Sequence, residues 1–179
     1  MAGPVLYDAC SLQNFGAIGR LDLLRRRHGH IDPPRWTETV ADEVAAGAGT
    51  AACDVILADS WLGVPIQPSS ADQKRIFELQ IGLNEGVRPA TKHLGEAESL
   101  HFADRLGGTL VTDDNGAYDF AFRMLGVGRV RDTVDVLRES VAQGELLASE
   151  AHLVANAMRN SGRSLRRIHP PTLPTTYFD

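Results

Sequence analysis

Four acidic residues of this 179-residue chain stand where chemistry is done rather than where solubility is served. Asp8 ends the short apolar run Val5-Leu6-Tyr7, and the doublet Asp113-Asp114 ends Leu110-Val111-Thr112. If both runs are parallel strands, their carboxylates emerge at one rim of a sheet, where open α/β folds place their sites. Glu43 falls on a helical stripe with Trp36, Val40 and Val44, about 20° from Trp36 at roughly 100° per residue. Glu96 opens a central helix on the side of Leu100 and Ala103. Carboxylates crowded together repel unless a cation holds them, and oxygen-only donors suit Mg²⁺ or Mn²⁺. The residues suggest a divalent-metal site made by Asp8, Glu43, Glu96 and one member of the Asp113-Asp114 doublet.

Each acid also has a plainer reading. Glu43 suits a buried ion pair with Arg20 or Arg35, and Glu96 suits the positive end of its helix dipole. Successive strand residues point to opposite faces, so one member of Asp113-Asp114 enters the site and the other turns or caps the chain. Spacing alone leaves the choice between Asp113 and Asp114 open; Asp119, one helical turn further on, could join through water but reads better as a helix-surface residue. Glu98 should face solvent. Asp104 shares the inner side of its helix but lies two turns beyond Glu96, too far to join it.

The elements that position these acids are read from periodicity and breakers. Strands are expected at residues 5–7, 63–66, 109–112 and 127–130. Helices are expected at 11–27, 36–46, 51–61, 70–84, 96–106, 117–125, 133–142 and 149–160. Pro33-Pro34 breaks the chain, and residues 91–95 read as a loop. The proline-rich end, residues 170–179, reads as an extended or disordered arm. Helices alternating with short strands predict an α/β fold: a small twisted parallel sheet of four to five strands with helices on both faces.

Composition narrows the class. Apolar residues make up 43% and charged residues 23%, as in a soluble globular domain. No apolar run approaches the roughly 20 residues that span a bilayer, and the start lacks the features of a secretory signal. The two cysteines, Cys10 and Cys53, do not suggest a disulfide framework, and Cys10 is expected to pack as a small hydrophobe. A cytoplasmic location follows. The net charge of −5 makes general coating of nucleic acid unfavourable, so any phosphate-binding surface must be local. Arg25-Arg26-Arg27-His28 and the stretch from Arg163 to His169 are the candidates; each otherwise reads as a solvated face.

Four motifs carry a resemblance: Leu6-Tyr7-Asp8-Ala9-Cys10-Ser11, Thr39-Val40-Ala41-Asp42-Glu43-Val44, Leu94-Gly95-Glu96-Ala97-Glu98, and Leu110-Val111-Thr112-Asp113-Asp114. In order and spacing the chain resembles the PIN-domain family, and within it the VapC-type ribonucleases, in a subgroup with Gly-Glu-Ala-Glu. The resemblance runs over residues 5–144. Residues 1–144 would form the PIN-like nuclease domain, and residues 145–179 a C-terminal helix and extended arm.

What the resemblance implies is metal-dependent hydrolysis of RNA by the toxin of a toxin–antitoxin pair. Asp8, Glu43, Glu96 and Asp114 would be catalytic metal ligands for Mg²⁺ or Mn²⁺, with Ser11 and Thr112 supporting them. Partners would be RNA, an antitoxin protein and a second copy of the chain, with no membrane. Three other readings are a catalytically silent PIN-like scaffold, a structure-specific DNA nuclease and a haloacid-dehalogenase-type phosphatase. The last would want Asp-x-Asp where this chain has Asp8-Ala9-Cys10.

Overall fold

The computed structural model describes residues 3–28, 35–84, 92–166 and 177–178. Pro33-Pro34, Arg167 to His169, and the arm apart from Tyr177 and Phe178 lie outside the described residues. Strand β1 (Val5–Tyr7) leads into helices α1 (Ala9–Gly16), α2 (Leu21–His28), α3 (Glu38–Ala46), α4 (Ala51–Ala58), α5 (Ser70–Leu83) and α6 (Leu94–Arg105). Strand β2 (Thr109–Val111), helix α7 (Asn115–Leu125), strand β3 (Val130–Arg131) and helices α8 (Thr133–Ala142) and α9 (Ala148–Asn160) follow.

The described strands form a parallel sheet in the order β1-β2-β3, with Leu6 opposite Leu110 and Leu110 opposite Val130. Three strands are fewer than the expected four to five. The shortfall is physical: beyond β1, the chain pairs only through single parallel bridges, Leu6 with Arg35 and Thr37 with Ile66. The expected strand at 63–66 is one such bridge.

Alternation along these short strands builds two cores. Val5, Tyr7 and Val111 face a cluster with Leu12 and Phe15 of α1, Leu24 of α2, Val40 and Val44 of α3, and Val134 and Leu137 of α8. Leu6, Leu110 and Val130 face the other way, onto Ile76 of α5, Leu100 and Phe102 of α6, and Ala121 of α7. Helix α9 buries Ala151, Val154, Ala155 and Met158 in the first cluster, and Phe178 of the expected surface arm is buried there too.

The strand-end acids also set the helices. Asp8 caps α1 by accepting from the Ser11 N–H, Asp114 caps α7 from the Ala117 N–H, and Asp132 after β3 caps α8 from the Asp135 N–H. Each such cap is worth about 1 kcal/mol. The expected helix over 11–27 is two helices, because the chain turns through Gly19 at φ +64°.

Helix α6 corrects two readings, and α1 a third. It is flanked by α3 and α5 and packs on β1 and β2, so it is buried around most of its circumference. Glu98, expected in solvent, is only 5% exposed. It accepts from the Thr39 N–H (3.2 Å) and hydroxyl (2.7 Å) at the start of α3. Asp104, expected on the inner side, is exposed because the helix end has passed beyond its neighbours. Cys10 is exposed rather than packed, whereas Cys53 is buried.

Candidate metal centre

Parallel pairing brings Asp8 and Thr112 side by side at the C-terminal rim of the sheet. The Asp8 N–H donates to the Val111 carbonyl, and the Thr112 hydroxyl donates to Asp8 Oδ2 at 2.6 Å. The Ser11 N–H donates to Asp8 Oδ1 at 2.7 Å. Asp8 is only 2% exposed and has no cationic partner among the described residues. Burial pushes its carboxyl up to about 7; the neighbouring Asp113 adds to this, while the Thr112 and Ser11 hydrogen bonds oppose it.

The doublet divides as strand geometry requires. Asp113 is buried and accepts from Asn14 Nδ2 (2.9 Å), the Ser11 hydroxyl (3.2 Å), and the N–H and hydroxyl of Thr133. Burial raises its carboxyl above the ordinary range, with the Thr133 hydroxyl pulling the other way. Asp114 is partly exposed; its Oδ1 is used by the α7 cap (2.8 Å), and its own N–H donates to the Thr112 hydroxyl oxygen (3.3 Å).

The two glutamates meet at the start of α6. Val40 and Val44 form the buried stripe of α3, and Glu43 lies at its edge, exposed as a residue. The displacement arises because α3 starts at Glu38, which leaves Trp36 outside the helix that was to define the stripe. Glu43 pairs with neither Arg20 nor Arg35 among the described residues; Arg20 is taken by Asp22. Its carboxylate instead lies against the backbone of Gly95, where an added Cβ would stand 2.9 Å from Oε1. Desolvation there, with repulsion from Glu96 and then Glu98, pushes the Glu43 carboxyl up to about 7. Glu96 is partly buried and faces His93 Nδ1 at 3.4 Å.

Cys10 ties the two halves into one field. Although Cys10 is exposed as a residue, its sulfur lies on the side turned toward the protein, and desolvation there pushes the thiol up to about 12, with the Asp8 carboxylate next, Glu96 and Asp113 adding and Arg163 opposing. Glu96 therefore acts both on the strand-end side and on Glu43. Among the described residues, however, no three His, Cys, Asp or Glu side chains stand close enough to form a preassembled cation cage. Asp8 and Asp113 form one pair and Glu43 and Glu96 another. Asp119 belongs to neither, since it is exposed and paired with Arg166 at 2.8 Å.

The donors fit a hard cation in kind: they are carboxylate oxygens, and two of the carboxyls, Asp8 and Glu43, are pushed up to about 7 by desolvation and by neighbouring acids. Asn14 and Thr133, not singled out from the sequence, complete the rim by holding Asp113. Arg163, from the basic stretch at 163–169, donates to Asn14 Oδ1 (3.0 Å) and Gln13 Oε1 (3.0 Å). The readable signal was Arg131-Asp132-Thr133, a third polar exit from a strand.

A family model, DUF3368, described as a PIN domain, matches residues 4–170. The chain belongs to the PIN-domain family. PIN domains are generally nucleases and typically depend on divalent metal ions, and the α/β architecture of this chain with its open parallel sheet is that fold. No curated protein and no solved structure shows a significant match to this PIN domain. No helix among its described residues is long and apolar enough to cross a membrane.

Gly95 supplies a prediction about Glu43. Gly95→Ala places a methyl group against the Glu43 carboxylate and must push that flexible side chain aside. Nuclease activity in divalent metal should fall roughly tenfold while the melting temperature moves by less than about 3 °C. Full activity in a folded Gly95→Ala protein would show that Glu43 has no fixed task.

Proposed function

We propose that this PIN domain is a metal-dependent endoribonuclease acting as the toxin of a toxin–antitoxin pair. The observation that carries the nuclease reading is Asp8, a buried carboxylate with no cationic partner among the described residues, beside a second buried carboxylate and supported by Thr112 and Ser11. The α1 cap made by Asp8 offsets only part of the cost of burying an uncompensated carboxylate, and a bound cation would supply the rest.

Asp8 and Asp114 would hold Mg²⁺ or Mn²⁺, Glu96 would complete the set, and Glu43 would hold a second ion or orient the attacking water. A bound ion supplies Lewis-acid polarisation of the phosphate and a more acidic water. The chain itself fixes the donors: Thr112 and Ser11 lock the Asp8 carboxylate, and Gly95 leaves room for that of Glu43. In the reaction, water oxygen bonds to phosphorus and the bond from phosphorus to the 3′ oxygen breaks. The water proton ends on that leaving oxygen, giving a 5′-phosphate and a 3′-hydroxyl.

The test uses mixed single-stranded RNA and a DNA of the same sequence with Mn²⁺, with and without EDTA. Cleavage of the RNA with 5′-phosphate products, abolished by EDTA, supports the reading. Cleavage of structured DNA in preference to RNA would move the protein to a structure-specific DNA nuclease, and no cleavage of either would leave a silent scaffold. The toxin role predicts that expression arrests growth and that Asp8→Asn relieves the arrest.

A further inference from the structure

The surfaces expected to hold phosphate are largely neutralised. Arg25 pairs with Asp59 (2.7 Å), Arg26 with Asp22 (2.7 Å), and Arg27 faces Glu139 and Glu145 (3.6 Å each). Arg166 pairs with Asp119 (2.8 Å) and lies over the Tyr118 ring, 3.7 Å from its centroid. Arg163 differs. It has no carboxylate partner among the described residues and is held by neutral acceptors alone: Asn14 Oδ1, Gln13 Oε1 and, at 3.4 Å, the Cys10 carbonyl. Its charge is therefore fixed in direction with no carboxylate in direct contact among the described residues, Asp113 standing beyond Asn14.

That charge opens onto a cavity of about 380 Å³ lined by Cys10, Asp113, Asp114, Asn115, Gly162, Arg163 and Ser164. One wall of the cavity carries the Asp113-Asp114 acids of the candidate metal centre and the other a cation. The anchor is shared, since Asn14 accepts from Arg163 and donates to Asp113. An anion seated against the guanidinium would be held at a set distance from the Asp114 rim. A free-standing arginine tie from the α9 end to α1 would not need such a cavity.

We propose that this cavity is a phosphate subsite for a nucleotide flanking the cleaved bond, with Arg163 as its positioning residue. The ligand class is a single-stranded nucleic-acid backbone phosphodiester, met by a permanently charged guanidinium whose Nε and Nη2 are held by the protein and whose Nη1 is left to face an anion. The subsite rests on the nuclease reading, and its test separates the two.

The test compares the full chain with Arg163→Gln, which keeps hydrogen-bonding capacity and removes the charge. In Mn²⁺ on mixed RNA, KM should rise about tenfold while kcat stays within about threefold. Binding of a labelled single-stranded oligonucleotide, followed by anisotropy across a salt series, should lose about 0.7 from the slope of log K against log salt. A merely structural tie would lower the melting temperature without changing that slope. If the wild type fails to cleave yet the slope drops in Arg163→Gln, the nuclease reading fails and the subsite stands. If the wild type cleaves and both KM and slope are unchanged, the subsite is overturned. Should Arg163→Gln not fold, Arg163→Lys decides: the subsite requires KM to rise about threefold at an unchanged slope, and an unchanged KM overturns it.

Discussion

Asp8→Asn should lower RNA cleavage roughly a thousandfold and, at the same time, make the metal-free protein more stable above neutral pH. The two effects share one cause. An unfolded aspartate titrates near about 3.9, whereas folded Asp8 is pushed up to about 7 by burial. Between those values the folded chain keeps a proton that the unfolded chain has released. Without metal, stability must therefore fall as pH rises from about 4 to about 7 and stay low above it. The shift of about three pH units corresponds to at most about 4 kcal/mol. Asparagine carries no charge, and its amide retains a hydrogen-bond acceptor for the Ser11 N–H. Thermal melts in EDTA should show Asp8→Asn roughly 5–10 °C above wild type at pH 8 and converging with it near pH 4. A lower melting temperature at pH 8 would mean that the Asp8 charge is compensated in the fold.

Neighbouring acids should behave in opposite ways. Asp113→Ala removes the acceptor for the Ser11 and Thr133 hydroxyls, Asn14 Nδ2 and the Thr133 N–H, all in a buried pocket. Leaving those donors unpaired should cost about 3–5 kcal/mol, or a melting temperature lower by roughly 10 °C. Asp114→Asn keeps a competent cap for α7 and should cost less than about 1 kcal/mol. It should nevertheless lose most of the metal-dependent activity. Melting curves and cleavage rates on the two variants check both halves. If Asp113→Ala is stable and inactive while Asp114→Asn is active, the ligand and supporting roles are exchanged.

These contrasts follow the limits of what a sequence makes visible. Asp8, Thr112 and the doublet were readable because a strand end is marked by local signals, an apolar run closed by polar residues. Glu96 stands in the first turn of α6 as expected, although the helix opens at Leu94, ahead of Gly95. Glu98 was misread because a helical wheel shows faces but not neighbours, and α6 has neighbours on several sides. Glu43 was placed on a stripe through Trp36, but Thr37 caps the helix and removes Trp36 from it. Asn14 carries no local signal, and the basic stretch from Arg163 does not show what Arg163 touches. Their roles arise from contacts between residues 99 and 149 positions apart, which only the packed chain reveals.

The same packing explains why the acids form two pairs rather than a closed cage among the described residues. Uncompensated carboxylates minimise repulsion by remaining apart, and a divalent ion would reward their approach. Calorimetric titration of Mn²⁺ into wild type and into Asp8→Asn, Glu43→Gln, Glu96→Gln and Asp114→Asn measures that directly. Saturable binding to the wild type is predicted, weakened at least tenfold by each change at Asp8, Glu96 and Asp114 and less by Glu43→Gln. Binding that is absent in the wild type, or equal in all five proteins, would contradict a shared metal centre at this rim.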